Sequence, residues 1–479
     1  MGEQTRAEPA AFLQAVAAYA RHNVLPWHTP GHKQGRGAAE ELQAALGPAL
    51  QCDLSDVLYD PPSQHSWDSL LREAQERAAA LFGASWTRFL INGTSGGVHA
   101  MLLATLTEDD VLIVPRQAHM CVAGGLVLSG AKPSYIPFRV DPVSQLPLPE
   151  GAEEYAVALQ LTPKAKAVVV TYSNYYGLCC DLRAVANMAR ERGVLVLVDE
   201  AHGAHYAFHP SFPRPALACG AHMTVQSTHK TLSALTQASM LHGAADADIE
   251  AVDRALDVLQ STSPSSLLLS SLDSARAQMA AQGEALWTKA IEVAEMLRQR
   301  LRSMPGVRCL GADELGSVAY SWDPTRLIVG CEGISGLHLA AALRMRYGIQ
   351  VEMADTRYCV VLVGLGDNVI HGQRLAAAID QLRRTLSSSG NGESLSYPDI
   401  PPMALTPRRA AQSSSTRVSW NDAVGRISGQ TLCPYPPGVP VLVPGELVTE
   451  EVVEFLRKAT ESGFYIRGYM GDGKVTVIA

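Results

Sequence analysis

The sequence has 479 residues, of which 47% are hydrophobic and 18% charged, with a formal net charge of −8. That length exceeds a single core and predicts about two to four domains, and the composition excludes a disordered chain. No Lys/Arg-rich run offers a footprint for nucleic acid, and no apolar run approaches the roughly 18–20 residues of a membrane span. The N-terminus, Met1-Gly-Glu-Gln-Thr-Arg6, lacks a basic region followed by an apolar core, so no signal peptide is expected. Nine scattered cysteines without a C-x-x-C pair predict reduced thiols in a cytoplasmic protein.

Taken in order, residues 9–22 read as a helix opened by Pro9, with Phe12, Val16 and Tyr19 on one face. Trp27 to Gly37 is a Gly/Pro-rich loop holding His28, His32, Lys33 and Arg36. Leu70–Phe82 mixes charged and apolar residues as an amphipathic helix does. Phe89–Asn92 reads as a short strand, and Gly93-Thr94-Ser95-Gly96-Gly97 is a turn that opens a helix over Val98–Leu106. A strand, a glycine-rich turn and a helix N-terminus present backbone N–H groups and a positive dipole end to an anion, and Thr94 and Ser95 add hydroxyl donors. The turn is neither a Walker loop nor G-x-G-x-x-G.

Val111–Pro115 reads as a buried strand, followed by Arg116-Gln-Ala-His119 and an apolar helix over Met120–Ser129. His119 thus sits just beyond a strand's carboxyl end, where open α/β sheets build their sites. Ala165–Thr171 is a valine-rich strand ending in the loop Tyr172-Ser-Asn-Tyr-Tyr-Gly177, and Leu182–Glu191 is a helix. Val194–Val198 is apolar throughout, as buried parallel strands are. It leads into Asp199-Glu-Ala-His202-Gly-Ala-His205. A carboxylate in that place can pair with a protonated pyridine nitrogen. A second reading of the same stretch is a metal cluster of Asp199, His202, His205 and His209, although HExxH is absent.

The strand-like stretch Ala221–Val225 precedes Gln226-Ser-Thr-His-Lys-Thr-Leu-Ser-Ala-Leu-Thr-Gln-Ala-Ser239. Lys230 has no Asp, Glu, Lys or Arg within ten residues on either side. Desolvation lowers a lysine's pKa and frees its amine as a nucleophile, the environment a Schiff-base lysine needs. A buried lysine paired with a distant carboxylate is the other reading. Further on, Glu250–Leu259 begins a helical stretch that runs to about Ser303 with a break at Ser261–Ser266. Val307–Ile328 and Leu337–Val363 mix short strands and helices, and Ser387–Ser415 is rich in Ser and Pro. The closing segment holds Tyr435-Pro-Pro-Gly-Val-Pro-Val-Leu-Val-Pro-Gly-Glu446.

The Ser227-Thr-His-Lys230 and Ser233-Ala-Leu-Thr-Gln237-Ala-Ser segments resemble the cofactor-attachment motif of the Orn/Lys/Arg decarboxylases, fold-type I pyridoxal-phosphate enzymes. Thr29-Pro-Gly-His-Lys33, the Gly-Thr-Ser turn, His119, Asp-x-Ala-His and the Pro-rich C-terminal segment follow in that family's order. The resemblance implies an α/β fold. Its large domain is aspartate aminotransferase-like with a mostly parallel sheet, and a smaller α+β domain and a C-terminal α+β domain follow. The expected boundaries are 1–60, 61–265 and 266–386, a linker over 387–415, and 416–479. No room remains for the N-terminal wing domain of larger members.

The implied activity is decarboxylation of lysine, arginine or ornithine with pyridoxal 5'-phosphate, in polyamine and diamine metabolism, by a cytoplasmic homodimer, with a tetramer left open. Lys230 is implied to hold the cofactor and Asp199 to pair with its ring nitrogen. His119 is implied to stack on the ring, and His202 to contact it. Gly93, Thr94, Ser95, Ser227 and His229 are implied to complete the cofactor site. His229 is one candidate for the proton donor, and Glu446 one candidate partner for a cationic substrate side chain. Transamination, aldol-type cleavage and a catalytically inactive regulator stay open as other uses of the fold.

Overall fold

The computed structural model describes residues 9–22, 24–55, 59–60, 65–386, 396–435 and 438–479. The N-terminal hexapeptide, the first part of the Ser/Pro-rich segment and Pro436-Pro437 of the C-terminal motif lie outside the described residues. Seven strands carry the main architecture. In chain order they are β1 (Trp86–Leu90), β2 (Val111–Pro115), β3 (Lys132–Ile136), β4 (Ala165–Thr171), β5 (Leu195–Asp199), β6 (Met223–Gln226) and β7 (Ser239–Gly243). The chain divides into two compact units. The first comprises residues 1–104, 200–210 and 214–286, and the second 105–199, 211–213 and 287–479.

In the second unit β5, β4, β2 and β3 lie side by side, all parallel. The central residues of β2, β4 and β5 are Val, Leu, Ile and Ala with almost no exposure, whereas β3, at the edge, carries the partly buried Pro133, Ser134 and Tyr135. Helices Cys121–Ser129, Ala152–Leu161 and Leu182–Glu191 intervene between successive strands, which is the alternation that generates a parallel sheet. The Asp181 side chain accepts from the Ala184 N–H and starts the last of these helices, and Gly130, at φ 79°, ends the first. Because the strands share a direction, the segments after β2 and β4 and the last residue of β5 emerge on one edge, so His119, the Tyr172–Gly177 loop and Asp199 are on that edge.

The same unit contains a four-stranded antiparallel sheet, in the order Val307–Cys309, Arg326–Cys331, Cys359–Leu362, Met353–Ala354. Helices Gly336–Tyr347 and Val369–Thr385 are capped by the side chains of Ser335 and Asn368. Its C-terminal part pairs Ser415–Ser419 with Lys474–Ile478, and Cys433–Tyr435 with Tyr465–Arg467. Helix Glu450–Glu461 packs Val452, Phe455 and Leu456 into a core with Leu432, Leu442 and Val475. Within the segment expected to be a linker, Pro407–Gln412 is helical, and Arg408 donates to the Val127 carbonyl at 3.0 Å.

In the first unit β7 lies between β1 and β6 and is antiparallel to both. The expectation of strands alternating to residue 243 is met, but these pairings are not parallel: only the short Thr228–Thr231 helix and a turn separate β6 from β7, too little chain for a parallel crossover. The first helix runs from Ala11 to Arg21. Its Phe12 meets the Trp67 ring edge-on at 4.9 Å, and Asp273 accepts from the Phe12 N–H at 3.0 Å. Helix Trp67–Phe82 opens on a reciprocal Ser66–Ser69 capping box and closes at Gly83 in the left-handed region.

Helix Gly93–Thr105 begins five residues earlier than the sequence predicts, so the Gly-Thr-Ser turn is the helix's own first turn. At Gly97 an added Cβ would lie 2.4 Å from Val225 Cγ2 and 2.6 Å from Leu90 Cδ1. The missing side chain is what lets this helix sit directly on β1 and β6.

Candidate active site

Lys230 lies in the short helix Thr228–Thr231, immediately after β6. It is half-buried, and its Nζ is 3.1 Å from His202 Nε2. That ring nitrogen can accept from the amine or, in the other tautomer, donate to it. The two residues reach each other because the Glu200 N–H, two residues before His202, donates to the Val225 carbonyl in β6, which ends four residues before Lys230. His229, next to Lys230, is half-buried. Burial, and then the neighbouring Lys230 charge, pull its pKa below the usual histidine value.

The glycine-rich turn and the lysine loop are tied together. Thr94 Oγ1 is 2.5 Å from Ser227 Oγ and 3.2 Å from Ser239 Oγ. The Gly93 N–H donates to the Gln237 carbonyl at 3.0 Å, and the His229 N–H to the Ala238 carbonyl at 3.2 Å. Gly93 holds φ 67°, a conformation that favours glycine. Thr94 and Ser227 are buried, as are Thr228 and Thr231 on either side of Lys230. The hydroxyls of Thr228 and Thr231 have no hydrogen-bond partner. Within the first unit the structure thus brings Gly93, Thr94 and Ser227 together, and Lys230 with His202.

Ser95 lies in the first turn of helix Gly93–Thr105, and the second unit holds Asp199 and His119. Asp199 is 6% exposed at the end of β5, and its carbonyl accepts from the Tyr172 N–H at 2.8 Å. His119 is half-buried in the turn after β2, where its Nδ1 accepts from the Cys121 N–H at 3.2 Å. Among the described residues no group of three His, Cys, Asp or Glu could hold a metal ion. The Gly/Pro-rich loop belongs to the first unit. There His32 Nε2 is 3.1 Å from Asp53, and Lys33 Nζ donates to the His28 carbonyl at 2.6 Å.

Glu446 is committed elsewhere than the sequence suggests. It is fully buried, and its two oxygens accept from Arg116 Nη1 at 2.6 Å and Nη2 at 2.9 Å. The Val443 N–H donates to it as well, at 2.9 Å. The Arg116 guanidinium also lies 4.9 Å from the centre of the Tyr135 ring. Burial opposes its charge, but Glu446 outweighs burial and raises its pKa. With both oxygens so engaged, Glu446 is withdrawn as a partner for a substrate cation.

Sequence reasoning also missed two further groups. Tyr175 and Tyr435 join hydroxyl to hydroxyl at 3.1 Å, and burial raises Tyr175 well above the usual tyrosine pKa. Their sequence signal was only that each stands in a segment already singled out. Glu150 is buried, with its Oε1 unpartnered, and burial pushes its pKa up to about 8. It stands near Gln117, whose amide donates to the Leu148 carbonyl at 2.7 Å in the same turn as His119. Nothing in its sequence context marks it.

Comparisons with known proteins follow the same lines as this geometry. The profile of the Orn/Lys/Arg decarboxylase major domain matches residues 10–369, and that of the same family's C-terminal domain matches residues 393–472. The arginine decarboxylase of Halalkalibacterium halodurans is 35% identical over 98% of this chain and 97% of its own length. The arginine decarboxylase of Bacillus anthracis is 34% identical over 95% and 94%. Among solved structures, the lysine decarboxylase of Francisella novicida superposes with a TM-score of 0.83, covering 98% of this chain and 81% of that one at 21% identity. The last likeness concerns the fold, which is that of fold-type I pyridoxal enzymes.

Two outcomes test the electrostatics of the second unit. Glu446→Gln leaves Arg116 charged and buried, so it should lower unfolding free energy by about 3–5 kcal/mol in chemical denaturation, with little change in KM; a substrate-binding Glu446 would give the reverse pattern. Glu150 has a folded pKa of about 8, above its ordinary 4.5. The folded chain then keeps a proton that the unfolded chain has lost between those values. This group's contribution to stability is complete below about 4.5 and declines as pH rises to about 8. Glu150→Gln should melt like wild type near about pH 5 and above it near about pH 8.5, with a gap on the order of a few kcal/mol.

Proposed function

Because the chain belongs to the Orn/Lys/Arg decarboxylase family, we propose that it is a pyridoxal 5'-phosphate-dependent arginine decarboxylase releasing agmatine and carbon dioxide. The observation that carries the choice of arginine is the near end-to-end likeness to the arginine decarboxylase of H. halodurans, at 35% identity. Lysine, another substrate that the family's description names, is the second reading. Membership also supports a cytoplasmic homodimer working in polyamine metabolism. The exposed Trp27 loop is the segment expected near the subunit boundary.

The residues present fit the cofactor. The hydroxyls of Thr228 and Thr231 beside Lys230 await partners, and the first turn of helix Gly93–Thr105 offers N–H groups and a positive dipole end to a phosphate. When bound, pyridoxal phosphate supplies a ring that takes up the electron pair left by the departing carboxylate. The chain's own groups do the remaining work. In the family's pattern Thr94, Ser95 and Ser227 would hold the phosphate with Gly93 shaping the turn, His119 would cover one ring face, Asp199 would keep a proton on the ring nitrogen, and Lys230 would hold the cofactor. His202, 3.1 Å from Nζ, takes or returns a proton there. His229 is retained as a candidate donor toward the substrate, although burial and the Lys230 charge lower its pKa and so disfavour its protonated form.

The purified protein should absorb in the visible, and borohydride should fix the cofactor to Lys230. Lys230→Ala should abolish that attachment, with peptide mapping as the check; a reduced adduct at another lysine in the wild type would sink the assignment. Carbon dioxide release should be fastest with arginine and strongly reduced with norleucine. A pocket built for a charged side chain leaves its own polar groups unpaired when that charge is missing, at a cost of roughly 10⁴–10⁵ in kcat/KM. Equal rates with norleucine would refute the specificity.

A further inference from the structure

The first unit contains a line of buried polar groups that the proposed reaction leaves unused. It runs Glu200, Gln226, His242, Thr87, none of them more than 3% exposed. One Glu200 oxygen accepts from the Ala216 N–H at 2.9 Å. The other accepts from Gln226 Nε2 at 2.8 Å and from Thr224 Oγ1 at 3.2 Å. The Gln226 amide oxygen lies 3.2 Å from His242 Nε2, and His242 Nδ1 lies 2.7 Å from Thr87 Oγ1. Thr87 and His242 are direct cross-strand partners, and so are His242 and Thr224. Gln226 projects to the same sheet face as Thr224, because strand side chains alternate. Phe82 stacks on His242 at 4.8 Å and 27°, which closes the line against water.

The polarity of the line is determined from one end. Three donors converge on Glu200, so it acts as the acceptor. That turns the Gln226 NH₂ toward Glu200 and its carbonyl toward His242. The carbonyl needs a donor, so His242 carries its proton on Nε2 and accepts at Nδ1 from the Thr87 hydroxyl. Burial keeps this ring neutral by pulling its pKa down to about 3. Burial pushes Glu200 up to about 7, against the lowering effect of Gln226, Ala216 and Thr224.

We propose that Glu200, acting through Gln226 and His242, is a positioning residue for Lys230. It sets the register between the segment that carries His202 and the segment that carries the lysine. Glu200 precedes His202 by two residues, and Gln226 precedes Lys230 by four. The main chain is tied at the same point, since the Glu200 N–H donates to the Val225 carbonyl at 3.0 Å. Gly203, next to His202, is fitted to this arrangement: a Cβ there would lie 2.7 Å from Glu200 Cγ and 2.6 Å from the Tyr206 ring. A slip at Glu200 would move His202 and the lysine loop relative to each other, and the 3.1 Å contact at Nζ would open.

The proposal rests on the reading of Lys230 as the cofactor lysine, and its test separates the two. Glu200→Gln offers an inverted but complete line. Its NH₂ donates to the Gln226 carbonyl, Gln226 turns its own NH₂ to His242 Nε2, and the imidazole proton moves to Nδ1 to face Thr87. The tautomer change is read by ¹⁵N NMR on histidine-labelled protein, without cofactor or turnover. This variant should attach added pyridoxal phosphate, followed by visible absorbance, at close to the wild-type rate. Glu200→Asp keeps the charge but falls short of Gln226, and should attach it roughly 10- to 100-fold more slowly.

The proposal is overturned if His242 keeps its proton on Nε2 in Glu200→Gln, or if Glu200→Asp attaches the cofactor as fast as wild type. Should Glu200→Asp fail to fold, Gln226→Met, which keeps the volume and removes the bridge, is read in the same assay by the same criterion. Attachment at a different lysine in the wild type would overturn the reading of Lys230 and the proposal with it, whereas the preceding outcomes overturn the proposal alone.

Discussion

The second unit depends on a pair of charges with no water to fall back on. Arg116 and Glu446 are 330 residues apart in the chain and meet through two short parallel hydrogen bonds. Two isolated ions of this size would each lose several kcal/mol of hydration on burial, so the geometry holds only while both are present. Arg116 is the first residue after β2, three before His119, and its own N–H donates to the Ile136 carbonyl at the end of β3. Glu446 closes the Pro-rich C-terminal motif. The pair therefore seats the C-terminal part against the strand end from which the His119 turn departs. A hydrophobic pair could seal that space, but it would not fix the direction of approach as a planar guanidinium and a carboxylate do.

In the first unit, neutral polar groups do comparable work. Around Lys230 the chain supplies hydroxyls, amides and imidazoles, and no carboxylate lies within ten residues of it in sequence. A histidine at 3.1 Å from the amine can accept a proton and give it back. The uncharged sequence around the lysine thus has a structural counterpart in the half-buried amine facing a titratable ring.

Much of this was legible beforehand where local rules dominate. Val111–Pro115, Ala165–Thr171 and Leu182–Glu191 form over the residues predicted, because continuous apolar runs and an Asp cap are local signals. Lys230, Asp199 and the Gly-Thr-Ser turn were singled out through composition and motif, and they lie just after β6, at the end of β5 and at the start of helix Gly93–Thr105. The helix boundary at Gly93 was misjudged because three glycines in five residues argue for a turn, yet close packing on β1 and β6 rewards the missing side chains. The direction of β7 depends on how little chain separates it from β6. Glu446 could not be placed from sequence, since its partner is remote in the chain. Glu150 and Glu200 were passed over for a related reason: an acidic residue looks the same in sequence whether it faces water or is sealed in a core.

The ties between Gly93 and Gln237 and between His229 and Ala238 make the stretch from Lys230 to β7 a spacer of fixed length. It ends on two separate anchors, one at the glycine-rich turn and one beside the lysine. Adding or removing a residue there would displace both together, so insertions and deletions that diversify this chain have to accumulate in other connections. The spacer can vary in chemistry at outward-facing positions such as the exposed Leu235, but not in its number of residues.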